Sequence, residues 1–146
     1  MQLAPALPSA NPAPQTLLSF DFGTRRVGVA AGNTLLRQAQ ALRTVAAQGD
    51  ARFAAIARLI DEWRPAALVV GVPFHPDGAA HDNTRRARRF ARQLQGRFRL
   101  PVHEVNEHWT TTETLSQGAA DADAAAAALI LNQFFQQGFF THDASA

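Results

Sequence analysis

The sequence predicts an α/β fold in which a mixed five-stranded sheet is flanked by helices. Three apolar segments separated by glycine turns open the folded part of the chain, a pattern typical of an antiparallel meander. Helical and strand patterns then alternate, which is typical of parallel strands joined through helices. With 146 residues, 47% hydrophobic and 18% charged, the chain has the size and composition of one globular domain.

The three strands of the meander are predicted from apolar runs bounded by turn residues. Thr16–Phe22 is apolar except for one acid and ends at Gly23, so we expect a buried strand. Two more strands, Arg26–Ala31 and about Leu35–Thr44, follow the turns at Gly23 and Gly32–Asn33. The meander supplies three of the five strands.

The remaining elements alternate between helices and strands. Ala67–Val72 is an unbroken apolar run, as expected of a strand that is covered on both faces. In chain order we predict a helix from Asp50 that stops before Pro65, the strand Ala67–Val72, a loop Pro73–Ala80, a helix Asp82–Leu94, a strand Pro101–Val105, a short helix Thr110–Gln117 and a long helix Asp121–Gln137.

The two ends of the chain are predicted to lie outside this domain. Residues 1–15 hold four prolines and no basic residue, which indicates a disordered arm rather than a signal peptide. Residues 139–146 are expected to be a loose tail, which leaves 16–138 as the folded domain. The uncharged stretch Ala124–Thr141 contains several Asn and Gln side chains, so we expect a soluble helix and a cytoplasmic protein without a membrane partner.

Composition excludes several chemistries. The chain has no cysteine, which rules out disulfides, thiolate metal sites and a cysteine nucleophile. It has no lysine either, which rules out a Schiff base and a Walker-type lysine. Although the net charge is only +2, residues 85–99 carry seven arginines and no acid, and residues 100–146 carry six acids and no arginine. This separation suits a site that holds phosphate and metal ions, but two solvated helix faces of opposite charge would look the same.

Asp21 is the first candidate catalytic residue. Burying a carboxylate inside an apolar strand costs at least about 2 kcal/mol of folding free energy unless a cation compensates the charge. That cation is either a metal ion or the guanidinium of Arg25 or Arg26. The Gly23–Thr24 turn that follows is a place where backbone N–H groups can approach a phosphate, so Thr24 and Arg25 are candidate nucleic-acid contacts.

Two further acids are candidates to join Asp21. Glu107 follows the predicted strand Pro101–Val105, and if this strand and Thr16–Phe22 are both central and parallel, their ends lie side by side. The third is Asp121 or Asp123, at the start of the alanine-rich helix. We assign Asp121 as the helix cap and Asp123 to the first turn, pointing inward, because the alanines that follow allow the helix to approach the sheet closely.

Three carboxylates without a histidine or cysteine cluster favour Mg²⁺ or Mn²⁺, and a pair of such ions could hydrolyse a phosphodiester. Thr110 and Glu113 fit a capping box, and Thr110 or Thr111 could also donate to a phosphate at that helix start.

The helix Asp82–Leu94 is the candidate phosphate-binding surface. Four arginines share one arc of about 100° on a 3.6-residue wheel, opposite the apolar face of the helix. Guanidinium groups suit phosphate oxygens, and no aromatic residue interleaves the arc, so backbone contact is favoured over base recognition. The four are Arg85, Arg88, Arg89 and Arg92.

Four motifs together resemble the YqgF family, whose members are described as pre-16S rRNA processing nucleases and as Holliday-junction resolvases. The motifs are Leu18–Ala30 (LSFDFGTRRVGVA), Val70–Pro73 with Asp77–Gly78, Glu107–Glu113 (EHWTTTE), and Asp123 followed by Ala126–Ala127 and Ile130–Leu131. The resemblance covers about Leu17 to Phe135. It implies an RNase H-like fold and a metal-dependent nuclease with its acids at Asp21, Glu107 and Asp123, acting on structured pre-rRNA or branched DNA as a monomer or weak homodimer.

The sequence departs from the family at two places. Asn106 and His108 stand where the family usually has Asp and Arg around the glutamate, and the segment from Thr111 to Asp123 is shorter than in many members.

The favoured function is maturation of the 5′ end of 16S rRNA, with junction resolution or a non-catalytic RNA-binding role in ribosome assembly as alternatives. Asp21–Thr24 also resembles the first phosphate loop of actin-like enzymes, but those need two such domains.

Overall fold

Five strands and three helices make up the part of the chain that the computed structural model describes, residues 13–73, 81–107 and 121–137. In chain order they are β1 (Thr16–Phe22), β2 (Val27–Asn33), β3 (Ala39–Val45), α1 (Gly49–Trp63), β4 (Ala67–Pro73), α2 (Asp82–Phe98), β5 (Val102–Glu107) and α3 (Ala122–Gln137).

The strands form one mixed sheet in the order β3-β2-β1-β4-β5. The pairs β1–β2 and β2–β3 are antiparallel, and the pairs β1–β4 and β4–β5 are parallel. The predicted sheet, a meander of three strands extended by two parallel ones, is therefore confirmed. It places β1 at the centre, where its carboxyl end lies beside the carboxyl end of β4.

The prediction of the third strand was wrong at its start. The strand begins at Ala39 and not at Leu35, because the side chain of Asn33 accepts hydrogen bonds from the backbone N–H groups of Leu35 and Leu36, at 3.0 and 2.8 Å. This side-chain turn ends β2 and leaves both leucines exposed. The apolar pair that suggested a strand is part of the turn.

Two other boundaries differ in ways that bear on function. β5 continues two residues beyond the predicted Val105, because Asn106 and Glu107 pair with Val72 and Pro73 of β4. Glu107 is thus the last residue of a strand, which fixes its backbone. The helix α2 runs on to Phe98 and ends at Arg99, which adopts a left-handed conformation with φ 56°.

Alternate residues of β1 face two different layers. Leu18 and Phe20 pack with α1 and α2 on one face of the sheet, and Leu17 belongs to a second apolar cluster formed with α3 on the other face. Both faces are buried, as the continuous apolar character of β4 indicated. Residues of odd number in β1, including Asp21, therefore point towards α3.

Contact between α3 and the sheet is close because small residues line it. The hydroxyl of Ser19 donates to the carbonyl of Ala127 at 2.7 Å. A Cβ atom on Gly28 would lie 1.8 Å from the carbonyl oxygen of Asp123, so the start of α3 rests directly on the backbone of β2. The alanines of α3 were predicted to allow this approach, and Ala124 and Ala127 are indeed buried.

Several predicted features lie outside the described residues. These are the loop after Pro73, the short helix Thr110–Gln117, most of the N-terminal arm and the tail 139–146, so the domain limits 16–138 stay a prediction. None of the helices in the described ranges is long and apolar enough to span a membrane.

We predict that Gly28→Ala destabilises the protein by about 2–4 kcal/mol, because the new methyl group overlaps the backbone of α3 and the tightly packed helix must shift. Denaturant unfolding followed by circular dichroism measures the change. The control is Gly96→Ala in α2, where an added Cβ meets nothing within 4 Å. That substitution should stabilise the helix by about 0.5–1 kcal/mol. Equal stability of the two variants would contradict the close approach of α3.

Candidate active site

Two glycines flank Asp21 in the sheet. Near the carboxyl end of β1, Asp21 is paired with Gly28 of β2 on one side and with Gly71 of β4 on the other. Side chains of paired residues point to the same face of a sheet, so Asp21 stands between two positions that have no side chain. This leaves room around its carboxyl group on the face that α3 covers.

The side chains of Ile130 and Glu107 occupy the room over Gly71. Neighbouring strands are about 4.8 Å apart, so β1 and β5 are separated by the full width of β4. The carboxyl groups of Asp21 and Glu107 nevertheless share a hydrogen bond. A Cβ atom on Gly71 would lie 3.3 Å from Oε1 of Glu107 and 2.3 Å from Cδ1 of Ile130. A side chain at this position would overlap Ile130 and press on the carboxyl group of Glu107, which crosses the strand to reach Asp21.

Burial and mutual repulsion make this pair hold a proton. Burial raises the pKa of Asp21 to about 8, with further increases from the charge of Glu107 and the hydrogen bond to it and from the charge of Asp123. Burial also raises the pKa of Glu107. One proton shared between the two oxygens satisfies the pair near neutral pH, and a cation would replace that proton.

Asp123 lies beside the pair but has its own partner. It stands in the first turn of α3, where its carboxylate forms an ion pair with Arg26 at 3.2 Å. Its charge is close enough to raise the pKa of Asp21. The sequence left open that Arg25 or Arg26 neutralises Asp21, but Arg26 turns instead to Asp123.

Asp121 caps α3, as expected. It accepts a hydrogen bond from the backbone N–H of Ala124 at 3.1 Å and another from the hydroxyl of Thr44. The bond from Thr44 is the main reason why the pKa of Asp121 is lowered. With its oxygens bound in this way, Asp121 serves the helix, and Asp123 is the acid that faces the pair.

The carboxyl groups of the acid pair provide some, but not all, of the ligands that a divalent cation needs. Asp21 and Glu107 offer adjacent carboxylate oxygens, the ligands preferred by Mg²⁺ and Mn²⁺. As placed in residues 13–73, 81–107 and 121–137, however, no three acidic or histidine side chains lie close enough together to hold a metal ion. Two of the three predicted acids are thus together, and the third is adjacent and bound to Arg26.

The predicted nucleic-acid contacts divide into three groups. Thr24 and Arg25 are exposed in the turn after β1, next to the acids. Thr110 and Thr111 lie outside the described residues. The four arginines of α2 are all exposed, opposite the buried Ala87, Phe90, Ala91 and Leu94, as the helical wheel indicated.

Acidic partners hold two of the four arginines on α2. Arg85 pairs with Asp82 at 3.1 Å, and Arg88 pairs with Glu104 of β5 at 3.4 Å. Both pairs are largely exposed and contribute little to stability, so they do not prevent these arginines from exchanging their partner for a phosphate.

Sequence reasoning did not find the residues that create space at this site. Gly28 and Gly71 were noted as parts of motifs but given no role, and Ser19 was not considered. Their signal is a small or polar residue inside an apolar strand, which often marks a close approach of another chain segment. The strand register shows which neighbour each glycine admits.

Nearly all of the described residues match one protein family. A family model described as "RuvX: Holliday junction resolvase" matches residues 15–137. A protein from Albidiferax ferrireducens named "Putative pre-16S rRNA nuclease" is 63% identical over 139 residues, covering 92% of this chain and 89% of the relative. A protein of the same name from Polaromonas sp. is 59% identical over 136 residues, covering 93% of this chain and 98% of the relative.

Solved structures show the same fold at low sequence identity. T. thermophilus RuvC in complex with a Holliday junction substrate superposes with a TM-score of 0.57 at 15% identity, covering 86% of this chain and 97% of RuvC. A second Thermus thermophilus RuvC structure gives a TM-score of 0.52 at 14% identity, with the same coverage. This likeness confirms the predicted RNase H-like fold.

We predict that, in EDTA, the protein loses stability as the pH rises from about 4 to about 8. Asp21 keeps its proton up to a pKa of about 8 in the folded state but loses it near 3.8 when unfolded. The folded state therefore binds more protons over this range, and unfolding becomes easier with rising pH. Denaturant unfolding at a series of pH values measures the slope.

Asp21→Asn should flatten this slope, because the amide resembles the protonated acid and carries no charge. At pH 8 we expect the variant to be more stable than the wild type by about 1–3 kcal/mol, and at pH 4 nearly equal to it. Asp61→Asn, at an exposed acid on α1, is the control and should keep the wild-type slope. If the stability of Asp21→Asn changes with pH as steeply as that of the wild type, the acid pair does not hold a proton in the folded state.

Proposed function

The chain belongs to the RuvX family, and from that premise we propose that it is a divalent-metal-dependent endonuclease that matures the 5′ end of pre-16S rRNA. The membership confirms the resemblance to the YqgF family that the motifs indicated. Relatives at 63% and 59% identity are named as nucleases of this substrate. The observation that carries the proposal is the pair of carboxyl groups that meet across Gly71 at the end of the central strands.

The acid pair is the proposed metal-binding element. Asp21 and Glu107 are held by strands on either side of β4, so their backbones are fixed before any cation binds. Asp123 completes the set when its carboxylate leaves Arg26, whose side chain is 64% exposed and free to move. Bound Mg²⁺ or Mn²⁺ ions supply the Lewis acid that activates water and stabilises the leaving oxygen of a phosphodiester.

Arg26 has a proposed second role at this point. Once released from Asp123, its guanidinium lies beside the acids and can hydrogen-bond to a phosphate oxygen of the substrate. Thr24 and Arg25, exposed in the same turn, are placed to contact the neighbouring backbone. The turn between β1 and β2 therefore positions the nucleic acid over the carboxyl groups.

A junction-resolving activity is the second candidate. It is favoured by the description of the matching family model. It would use the same acids, and because a junction carries two strands to be cut, it needs two copies of this site. The departure at Asn106 does not oppose either activity, since its side chain is exposed and its backbone carbonyl accepts a hydrogen bond from Gln133 of α3 at 2.7 Å.

We predict that the wild-type protein cleaves pre-16S RNA in Mn²⁺ and not in EDTA, and that Asp21→Asn lowers the rate by at least about a hundredfold. The loss follows from removing a charged ligand from the acid pair. The measurement is a single-turnover cleavage assay with the precursor RNA and, in parallel, a four-way DNA junction. Faster cleavage of one substrate decides between the two candidate activities.

The control for this assay is Asp61→Asn, which should cleave like the wild type. Full activity of Asp21→Asn, or cleavage unaffected by EDTA, would contradict the proposed mechanism. If no substrate is cleaved by the wild type while RNA binding persists in EDTA, the non-catalytic RNA-binding role remains.

We also predict that Arg85→Gln combined with Arg92→Gln weakens nucleic-acid binding and lowers its salt dependence. Each lost phosphate contact should reduce the slope of log K against log salt by about 0.7–0.9. Fluorescence anisotropy in EDTA at several salt concentrations measures it. Arg58→Gln on α1 combined with Arg64→Gln directly after it, both exposed positions, should leave the slope unchanged. If both double variants show the same salt dependence of binding, the nucleic acid does not contact the arginines of α2.

A further inference from the structure

A cleft on the face of the sheet opposite the acids is lined by three arginines. It has a volume of about 240 Å³ and lies between the end of β1, the start of α1 and the middle of α2. Its cationic groups are Arg52, Arg86 and Arg89, and among residues 13–73, 81–107 and 121–137 no acidic side chain lines it. The cleft thus concentrates positive charge beside an apolar wall.

Arg52 is the buried cation of the cleft. It is 5% exposed, although arginine is almost never so deeply buried without a partner. Its guanidinium donates to two backbone carbonyls, those of Ala47 at 2.8 Å and Thr24 at 3.1 Å, and lies 5.5 Å from the ring centre of Phe22. Within the described ranges it has no ion-pair partner, and burial lowers its pKa.

The two other arginines leave their charge at the mouth of the same cleft. Arg86 and Arg89 are exposed on α2, and neither forms an ion pair with any described residue. Gly49 also lines the cleft at the first turn of α1, whose preceding residue Gln48 makes no side-chain capping bond. Positive charge and uncapped backbone N–H groups at a helix start both favour an anion.

The cleft is close to the acids along the chain and in space. Asp21 and Phe22 are consecutive in β1, with Asp21 facing α3 and Phe22 packing at 5.1 Å from the ring of Phe90 in α2. Arg52 donates to the carbonyl of Thr24, in the turn between β1 and β2 at the end where Asp21 lies. An extended polyanion lying on the acids therefore reaches the cleft by passing over this turn.

We propose that the cleft formed by Arg52, Arg86 and Arg89 binds a phosphate group of the nucleic-acid strand that lies across the acid pair. The proposal rests on the proposed function, which supplies the strand. It assigns to Arg52 and Arg86 a role in substrate binding that the arc of arginines on α2 does not include. A free phosphate has the same chemistry, so the test separates the two sources.

The test measures binding of a four-way DNA junction and a pre-16S RNA fragment in EDTA, where no cleavage occurs. Arg86→Gln combined with Arg89→Gln removes the charges at the mouth, and both side chains are exposed, so the fold is kept. We expect about fivefold weaker binding and a salt slope smaller by about 1. Arg58→Gln with Arg64→Gln, about 13 and 22 Å from Gly49 along the axis of α1 and just past its end, should change neither value.

A series of DNA junctions, each with one neutral methylphosphonate linkage, then identifies the phosphate. For the wild type, one linkage outside the scissile position should weaken binding about fivefold, and the same linkage should have no further effect on the double variant. If every neutral linkage affects both proteins equally, the proposal is wrong. If inorganic phosphate raises the melting temperature of the wild type alone while junction binding is unchanged in the variant, the cleft binds free phosphate and the proposal is wrong as well.

Cleavage in Mn²⁺ by the same proteins separates this inference from the proposed function. If one neutral linkage weakens binding to the wild type but not to the double variant, and neither protein cleaves, the phosphate-binding cleft is supported and the proposed nuclease activity is refuted. If the wild type cleaves but every neutral linkage affects both proteins equally, the nuclease activity is supported and the phosphate-binding cleft is refuted.

Discussion

The absence of side chains on both sides of Asp21 is the constraint on which the site depends. Gly28 and Gly71 are its partners in the adjacent strands, and each makes space for something different. Gly28 lets the backbone of Asp123 rest on β2, and Gly71 makes room for the side chain of Ile130 and, less tightly, for the carboxyl group of Glu107. Three acids from distant parts of the chain come near one another where two strands lack a Cβ atom.

Placing carboxyl groups this close stores electrostatic repulsion in the folded protein. Burial and the charges of its neighbours raise the pKa of Asp21 to about 8, so the resting site holds a proton where a cation would bind. The guanidinium of Arg26 compensates the third acid in the same way. Both arrangements are of the kind expected of a site whose most stable form contains bound cations, since like charges held together favour any group that neutralises them.

Much of the fold follows from the sequence, but the contacts of the site do not. Apolar runs such as Thr16–Phe22 and Ala67–Val72 predicted the strands, because buried strands have a clear pattern, but the order of the strands in the sheet was not predicted. The start of the third strand was predicted wrongly, because the apolar character of Leu35 and Leu36 suggested a strand where the side chain of Asn33 stabilises a turn. Asp21, Glu107 and Asp123 were found as candidates, but their grouping depends on strand register, which a single sequence does not contain. The burial of Arg52 was likewise not predicted, although its spacing from Ile56 and Leu59 places it on the buried face of α1.

The most direct test of the central claim is the number of protons released when Mn²⁺ binds. Calorimetric titrations near pH 7 in buffers of different ionisation enthalpy measure this number. If the cation replaces the proton shared by Asp21 and Glu107, the wild type should release on the order of one proton per site, and Asp21→Asn should bind Mn²⁺ much more weakly and release fewer. Tight binding without proton release, or an identical titration of the variant, would contradict the account.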